Sequence, residues 1–161
     1  MVNRYLPHVL VLPEDDANRQ LANGFVLDLD PSVFTRIQVL EEVGGWAEVL
    51  NCFESDHVGG MDRYTARNMI LLIDFDGNPE RLSTAKDRIP ERLSGRVFVL
   101  GVLSEPEALK SAGLGSYETI GREMAKDCRE KTEATWGHAL LRHNAGELER
   151  LCDHVRPILF Q

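Results

Sequence analysis

Cysteine is scarce in this sequence, and the cysteines it has are far apart. Cys52, Cys128 and Cys152 are the only three, and no two of them form a Cys-x-x-Cys pair. This spacing argues against a disulfide framework and against a zinc knuckle, so we expect all three to be small core residues.

Long apolar runs and a leader-like start are also missing. No apolar run approaches the roughly 20 residues that a membrane helix needs. The first five residues lack the basic-then-apolar pattern of a secretion leader. We therefore expect a cytoplasmic protein with no membrane partner.

Basic residues are outnumbered, with 18 Lys and Arg against 26 Asp and Glu, which gives a net charge of −8. Such a chain does not present the broad basic surface by which proteins hold long nucleic acids. A nucleic-acid partner would require a local basic patch, a metal ion held by carboxylates, or a protein partner that supplies positive charge. Nucleic acid under one of these conditions, or another protein, remains the expected partner.

Repeats, low-complexity segments and linker-like stretches are absent, so the 161 residues are expected to form one domain. Apolar runs alternate with helical patterns, which favours right-handed crossovers and a mainly parallel, four-stranded sheet with helices on both faces. This is an α/β fold of Rossmann-like type. Residues 111–161 are expected to be a helical extension packed on it. The predicted strands cover residues 8–12, 34–40, 69–73 and 96–103.

Helical patterns follow each predicted strand. Residues 15–29 and 45–54 carry apolar residues at helical spacing, Asn78-Pro79 starts a third helix, and Ser116 caps a fourth. Asn144, with Glu147 three residues later, predicts a capping box for the last helix. His138 and His143 are expected to serve packing and capping. Residues 55–67 are expected to form a long loop.

All four predicted strands end in acids. The first runs into Glu14, the second into Glu41-Glu42, the third into Asp74-Phe75-Asp76 and the fourth into Glu105-Pro106-Glu107. Because parallel strands place their carboxyl ends at one edge of the sheet, where ligands bind in such folds, these acids are expected to converge. Hard oxygen ligands of this kind suit magnesium or manganese.

Asp74 and Asp76 have two interpretations. On a continuing strand, residues two apart point to the same face, so both carboxylates would reach one ion, and Gly77 would allow a sharp turn beside them. Alternatively, the residues from Asp76 to Pro79 are turn and cap chemistry after a buried strand.

The segments Val9–Glu14 and Ile70–Gly77 together resemble the toprim domain of topoisomerases, primases and overcoming-lysogenization-defect nucleases. The resemblance covers about the first 110 residues in outline. It implies that Asp74 and Asp76 hold a divalent cation and that Glu14 completes the ligand set or acts as general acid or base in phosphodiester chemistry. Either Glu105 or Glu107 would supply an additional acid. Two positions depart from the family pattern, since Asp15 replaces a glycine and Asn18 replaces an acid.

Residues 9–21 also resemble the opening of a response-regulator receiver domain. That resemblance implies magnesium binding by the acids after the first strand and phosphorylation of Asp74. The sequence lacks the hydroxyl residue and the Lys-Pro expected at later strand ends.

Two further hypotheses concern a phosphate-binding pair of arginines and the function of the whole chain. Arg63 and Arg67, in the predicted loop, are candidate phosphate-binding residues that would offset the acidic edge. The alternative to a metal-dependent phosphodiesterase or nuclease is a non-catalytic binding or regulatory module that keeps the fold.

Overall fold

The computed structural model describes residues 2–160 and contains one sheet of four parallel strands. The strands are β1 (His8–Pro13), β2 (Ile37–Val39), β3 (Arg67–Leu72) and β4 (Val97–Leu100). They lie in the order β2-β1-β3-β4, with Pro13 opposite Leu72 at the end of the central pair. The predicted α/β class with a parallel sheet is confirmed.

Seven α-helices connect and cover the strands within the described chain. They are α1 (Asp16–Leu27), α2 (Trp46–Cys52), α3 (Val58–Arg63), α4 (Arg81–Asp87), α5 (Pro106–Ser111), α6 (Tyr117–Glu130) and α7 (Ala145–Leu159).

 The longest of them, α7, spans the 15 residues Ala145–Leu159. Between residues 2 and 160, no helix combines the length and the apolar character that crossing a membrane requires.

The two faces of the sheet carry separate apolar cores because neighbouring strand residues point in opposite directions. Val9 and Val11 of β1 pack in one core with residues of α1, α6 and α7. Leu10 and Leu12 pack in the other core with residues of α2, α3 and α4. Helices therefore cover both faces, as predicted. The described part of the segment expected to be an extension, residues 111–160, supplies much of the first of these two cores.

Three predicted elements differ from the structure. Residues 31–36 form a 3-10 helix that Asp30 caps, so the second strand begins at Ile37 instead of Phe34. Residues 55–67 are not a long loop, because a π-helical turn (Phe53–His57) continues into α3 and β3 starts at Arg67. The helix expected to start at Pro79 starts at Arg81, since Asn78 Oδ1 accepts a bond from the Glu80 N–H in a preceding turn, at 3.0 Å.

Helices α1 and α6 cross at two glycines that allow close backbone approach. A Cβ atom on Gly121 would lie 2.1 Å from the carbonyl oxygen of Leu21, and one on Gly24 would lie 2.3 Å from that of Glu118. The predicted cap of α6 is confirmed, since Ser116 Oγ accepts a hydrogen bond from the Thr119 N–H at 3.1 Å.

The outer edge of β4 is closed by side chains of the last helical segment. Glu147 Oε2 accepts a hydrogen bond from the Val99 N–H at 3.0 Å. Asn144 Oδ1 accepts one from the Gly101 N–H at 3.1 Å, and Asn144 Nδ2 donates one to the Gly101 carbonyl at 2.9 Å. The predicted capping box is therefore wrong, because both side chains bond the exposed edge of a strand and not the start of α7.

The two histidines have the local roles expected of them. His143 packs edge-on against the ring of Phe75, with 4.8 Å between the ring centres. His138 Nδ1 accepts a hydrogen bond from the Leu140 N–H at 3.1 Å. His143 thus supports the buried residue that lies between Asp74 and Asp76.

Candidate functional site

The strand order creates a crevice at the carboxyl ends of β1 and β3. From β1 the chain crosses to β2 on one side, and it later returns to place β3 on the other side of β1. The connections leaving β1 and β3 therefore diverge to opposite faces of the sheet, and such a switch point is where open α/β sheets bind ligands. Glu14 follows β1 at this point, and Asp74 lies two residues beyond the end of β3.

Glu14 and Asp74 are in direct contact. Glu14 Oε2 accepts a hydrogen bond from the backbone N–H of Asp74 at 2.6 Å. The backbone of Glu14 is itself fixed, since its N–H donates to the Leu72 carbonyl at 2.9 Å and its carbonyl accepts from the Gly44 N–H at 2.8 Å. The predicted convergence of the first and third strand ends is therefore present.

Asp74 is an unusually buried acid, with 7% of its surface exposed. Burial raises the pKa of Asp74 from 3.8 to about 7, and the negative charge of Glu14 acts in the same direction. A hydrogen bond from Asn18 Nδ2 to Asp74 Oδ1, at 2.8 Å, opposes this rise. Burial also raises the pKa of Glu14. Near neutral pH, Asp74 therefore exchanges readily between its acid and carboxylate forms.

Asn18 joins the two acidic segments of the site. Its Nδ2 atom donates to Asp74 Oδ1 and, at 3.0 Å, to Oδ1 of Asp15, which caps α1. Its Oδ1 atom is buried and has no hydrogen-bond partner among residues 2–160. The sequence presents Asn18 only as a departure from an expected acid. The structure gives it a defined place beside Asp74.

Asp76 does not share the surroundings of Asp74. The backbone turns at Asp76 and Gly77, with φ angles of 48° and 73°, and the side chain of Asp76 is 59% exposed. Asp76 forms an ion pair of 3.1 Å with Arg81. The strand therefore does not continue through the Asp-x-Asp segment, and turn geometry separates the directions of its two acids.

Arg81 is a site residue that the sequence analysis missed. Its Nη1 atom donates to the backbone carbonyl of Asp74 at 2.8 Å, and its guanidinium lies 4.5 Å from the ring centre of Trp46. Together with the Asp76 ion pair, these contacts hold one positive charge against the acidic edge. An arginine in the first turn of the helix after the Asp-x-Asp segment is the sequence feature that could have indicated it.

The other strand-end acids lie further out. Glu107 is close enough to contribute to the raised pKa of Asp74. Glu105 precedes α5 as its cap residue without forming a side-chain cap bond. Glu42, after β2, pairs with Arg19 at 3.3 Å. Of the two candidates for an additional acid, Glu107 is the one whose charge acts on Asp74.

Arg63 and Arg67 lie at the opposite edge of the sheet. Arg67 is the first residue of β3, and the length of that strand separates it from Asp74 by about 20 Å. Its Nε atom donates to His8 Nε2 at 3.0 Å. Arg63 ends α3 and its guanidinium lies 5.4 Å from the ring centre of Tyr64. The structure does not bring these arginines to the acidic site, because Arg63 precedes β3 and Arg67 begins it, whereas Asp74 follows its other end.

The inner part of the site offers oxygen atoms to a cation. The hydrogen bonds described above use Glu14 Oε2 and Asp74 Oδ1, which leaves Glu14 Oε1 and Asp74 Oδ2 for a ligand. Asn18 Oδ1 adds an amide oxygen. Oxygen donors of this kind fit magnesium or manganese. Among residues 2–160, no three His, Cys, Asp or Glu side chains are grouped as metal ligands, so a third donor would be Asn18, or Asp76 or Glu107 after a side-chain movement.

The assignment of this site rests on its residues and geometry. The acidic residues, the strand order at the switch point and the raised pKa of Asp74 are all features of the chain's own structure. Comparison with protein-family models, with curated proteins and with solved structures gives no match.

Proposed function

We propose that this chain is a toprim-like protein that binds magnesium or manganese and acts on phosphodiesters, as a hydrolase or nuclease. The observation that carries the proposal is the contact between Glu14 and the Asp74 N–H, at 2.6 Å, in the crevice between β1 and β3. Two acids from separate strands meet there at a ligand-binding position of the fold.

The proton on Asp74 is central to this function. At a pKa of about 7, the side chain loses its proton when a cation binds, so binding releases a proton near neutral pH. Asp74 and Glu14, once ionised, would be the residues that hold the cation. The bound cation would polarise the phosphate and lower the pKa of an attacking water.

Glu14 and Arg81 have separate roles in the proposal. Burial raises the pKa of Glu14, which is the direction that favours a role as general acid or base. Arg81 holds the backbone of Asp74 and offsets negative charge as the phosphate approaches. Asp76 would be available as a further ligand if its ion pair with Arg81 opened, and exposed ion pairs of this kind contribute only about 0–1 kcal/mol.

Cation-dependent stability provides the first test. We expect millimolar Mg²⁺ or Mn²⁺ to raise the thermal unfolding midpoint of wild type, since a ligand bound only by the folded state stabilises it. Asp74→Asn and Glu14→Gln should abolish the rise. Asp62→Asn is the matched control, because Asp62 pairs with Arg92 away from the site and should leave the rise intact. An unchanged wild-type midpoint would remove the basis of the proposal.

Catalysis requires a separate assay. The protein is incubated with single- and double-stranded DNA and RNA and with a small phosphodiester, with cation or with EDTA. Cleavage that needs the cation and disappears in Glu14→Gln supports the enzyme. Cation binding without cleavage of any of these substrates supports a non-catalytic module.

A receiver-like regulatory module is the second candidate, and the strand order favours it. The order β2-β1-β3-β4 is that of the first four strands in flavodoxin-like sheets, a group that includes receiver domains. Asp74 would accept a phosphoryl group from a small phosphodonor. Mass spectrometry of protein treated with acetyl phosphate would locate the adduct on Asp74. Unmodified Asp74 in the presence of Mg²⁺ would exclude this candidate.

A further inference from the structure

Two of the three cysteines meet between the last two long helices. Cys128 lies near the end of α6, and Cys152 lies in the middle of α7, 24 residues later. Their Sγ atoms are 2.8 Å apart. The wide spacing in sequence, which argues against a disulfide framework, therefore conceals a close pair in space.

The positively charged side chain of Arg156 lies close to the two cysteines. Arg156 follows Cys152 by one helical turn and so shares its face of α7. Its Nη2 atom donates to the Cys128 carbonyl at 2.9 Å, and its buried Nε atom has no hydrogen-bond partner among the described residues. The hydrogen bond from Cys128, followed by the charge of Arg156, lowers the pKa of Cys152. Nearby arginine is one of the features that make a thiol reactive.

The two thiols differ in access to solvent. Cys128 is only 4% exposed, whereas Cys152 is partly exposed. Both line a cleft of about 650 Å³ between α6 and α7, which also includes Trp136. A small oxidant would therefore reach Cys152 first. Cys128 lies next to Cys152 and would then react with the modified Cys152 sulfur.

We propose that Cys128 and Cys152 form a reversible disulfide, a modification site that small disulfides such as glutathione disulfide oxidise. The Cys152 thiolate attacks one sulfur of glutathione disulfide, forms a mixed disulfide and releases one glutathione thiolate. The hydrogen bond to Cys152 and burial raise the pKa of the Cys128 thiol, so this thiol loses its proton as it attacks the Cys152 sulfur, and the second glutathione leaves as a thiolate. The two protons lost by the cysteines are taken up by the two glutathione thiolates. The product covalently joins α6 to α7.

Cys52 is an internal control for this chemistry. It lies at the end of α2, and its thiol donates a hydrogen bond to Asp56 at 3.6 Å. Burial and the negative charge of Asp56 raise the pKa of Cys52, which disfavours the reactive thiolate. Reaction at Cys52 would therefore indicate general oxidation of exposed thiols and not a selective pair.

The experiment is oxidation of the full, folded chain with defined ratios of reduced and oxidised glutathione. After alkylation of the remaining thiols, peptides are mapped by mass spectrometry without reduction. We expect wild type to lose two of its three thiols, to yield a peptide crosslinked between Cys128 and Cys152, and to keep Cys52 free. Reduction with dithiothreitol should restore all of them.

Single substitutions test the order of the steps. Cys128→Ser should accumulate glutathione on Cys152, because the second step is blocked. Cys152→Ser should leave Cys128 unmodified, because burial protects it. Arg156→Gln should slow the first step. Three titratable thiols in wild type under strongly oxidising ratios, a crosslink between two protein molecules, or equal glutathione adducts on both single variants would each overturn the proposal.

Stability supplies a readout that does not depend on the variants. An intramolecular disulfide restricts the unfolded chain, so oxidised wild type should unfold at a higher urea concentration than reduced wild type. An equal midpoint for the two forms would contradict a bond between α6 and α7. If a variant does not fold, the wild-type peptide map and this comparison decide the question.

Discussion

Asp74→Asn is expected to stabilise the folded protein at alkaline pH, although it removes a proposed site residue. Asp74 is buried and its pKa rises from 3.8 to about 7 on folding, chiefly because burial disfavours its charge. The folded state therefore binds more protons than the unfolded state between those two pH values. The stability that this proton contributes is fully present below about pH 4 and is lost as the pH rises to about 7.

The size of the effect follows from the size of the shift. A rise of about three pKa units corresponds to about 4 kcal/mol of unfolding free energy. Asparagine keeps the shape of the side chain and an oxygen that accepts the bond from Asn18, but it carries no charge to desolvate. We expect the variant to exceed wild type by about 2–4 kcal/mol at pH 8 and by much less at pH 5.

Urea unfolding at pH 5 and pH 8, with EDTA to remove divalent cations, measures both differences. Asp76→Asn is the matched control, because Asp76 is 59% exposed and its ion pair with Arg81 contributes about 0–1 kcal/mol. It should change stability little at either pH. A variant Asp74→Asn that is less stable than wild type by the same amount at both pH values would refute the argument, since it would mean that the ionised carboxylate is favourably placed.

The remaining predictions concern the packing of the helices. Gly121→Ala should lower the free energy of unfolding in urea by about 1–3 kcal/mol, because its Cβ would lie 2.1 Å from the Leu21 carbonyl oxygen. Gly146→Ala is the control, since open space surrounds Gly146, and it should be neutral or slightly stabilising. Glu147→Gln should cost about 2 kcal/mol at pH 7 because charged hydrogen bonds are lost, and exposed Glu149→Gln should cost almost nothing. Burial alone would raise the pKa of Glu147, but bonds from Lys86 and the Val99 N–H lower it overall. Wild type should therefore keep this contribution above pH 4.5 and lose it as the pH falls below that ordinary value. Equal losses in the paired variants, or an acid transition unchanged by Glu147→Gln, would contradict these assignments.

The features that the sequence predicted correctly are those set by local pattern. Each of the strands β1 and β3 contains a continuous apolar run, residues 9–12 and 69–72, which is typical of strands covered on both faces, and an acid follows shortly after each run. The parallel arrangement then follows from the helical segments between them. The meeting of Glu14 and Asp74 required no more information than this, because parallel neighbours bring their carboxyl ends together.

The features that the sequence did not predict depend on contacts between distant segments. Asn144 and Glu147 have the spacing of a capping box, and nothing local distinguishes that role from bonding to the edge of β4. The Cys128–Cys152 pair depends on how α6 and α7 pack. Arg63 and Arg67 were assigned to the acidic site only because a loop over it was assumed, and the helix and strand found there place them at the other edge.

Side chains of Asn144 and Glu147 close the outer edge of β4, and the end of the sheet at β4 determines where its ligand-binding crevice lies. The open edge of a sheet can pair with a further strand, but at β4 Asn144 and Glu147 occupy the bonding groups of Val99 and Gly101. The sheet therefore ends at β4, and its single switch point lies between β1 and β3. At that point the fold tolerates a buried acid, Asp74, whose charge costs stability at neutral pH. A functional site is expected to keep such an acid, because a bound cation would offset the free energy of unfolding that is lost by burying its charge. An acid with a purely structural role at the same position could be replaced by asparagine without loss of stability.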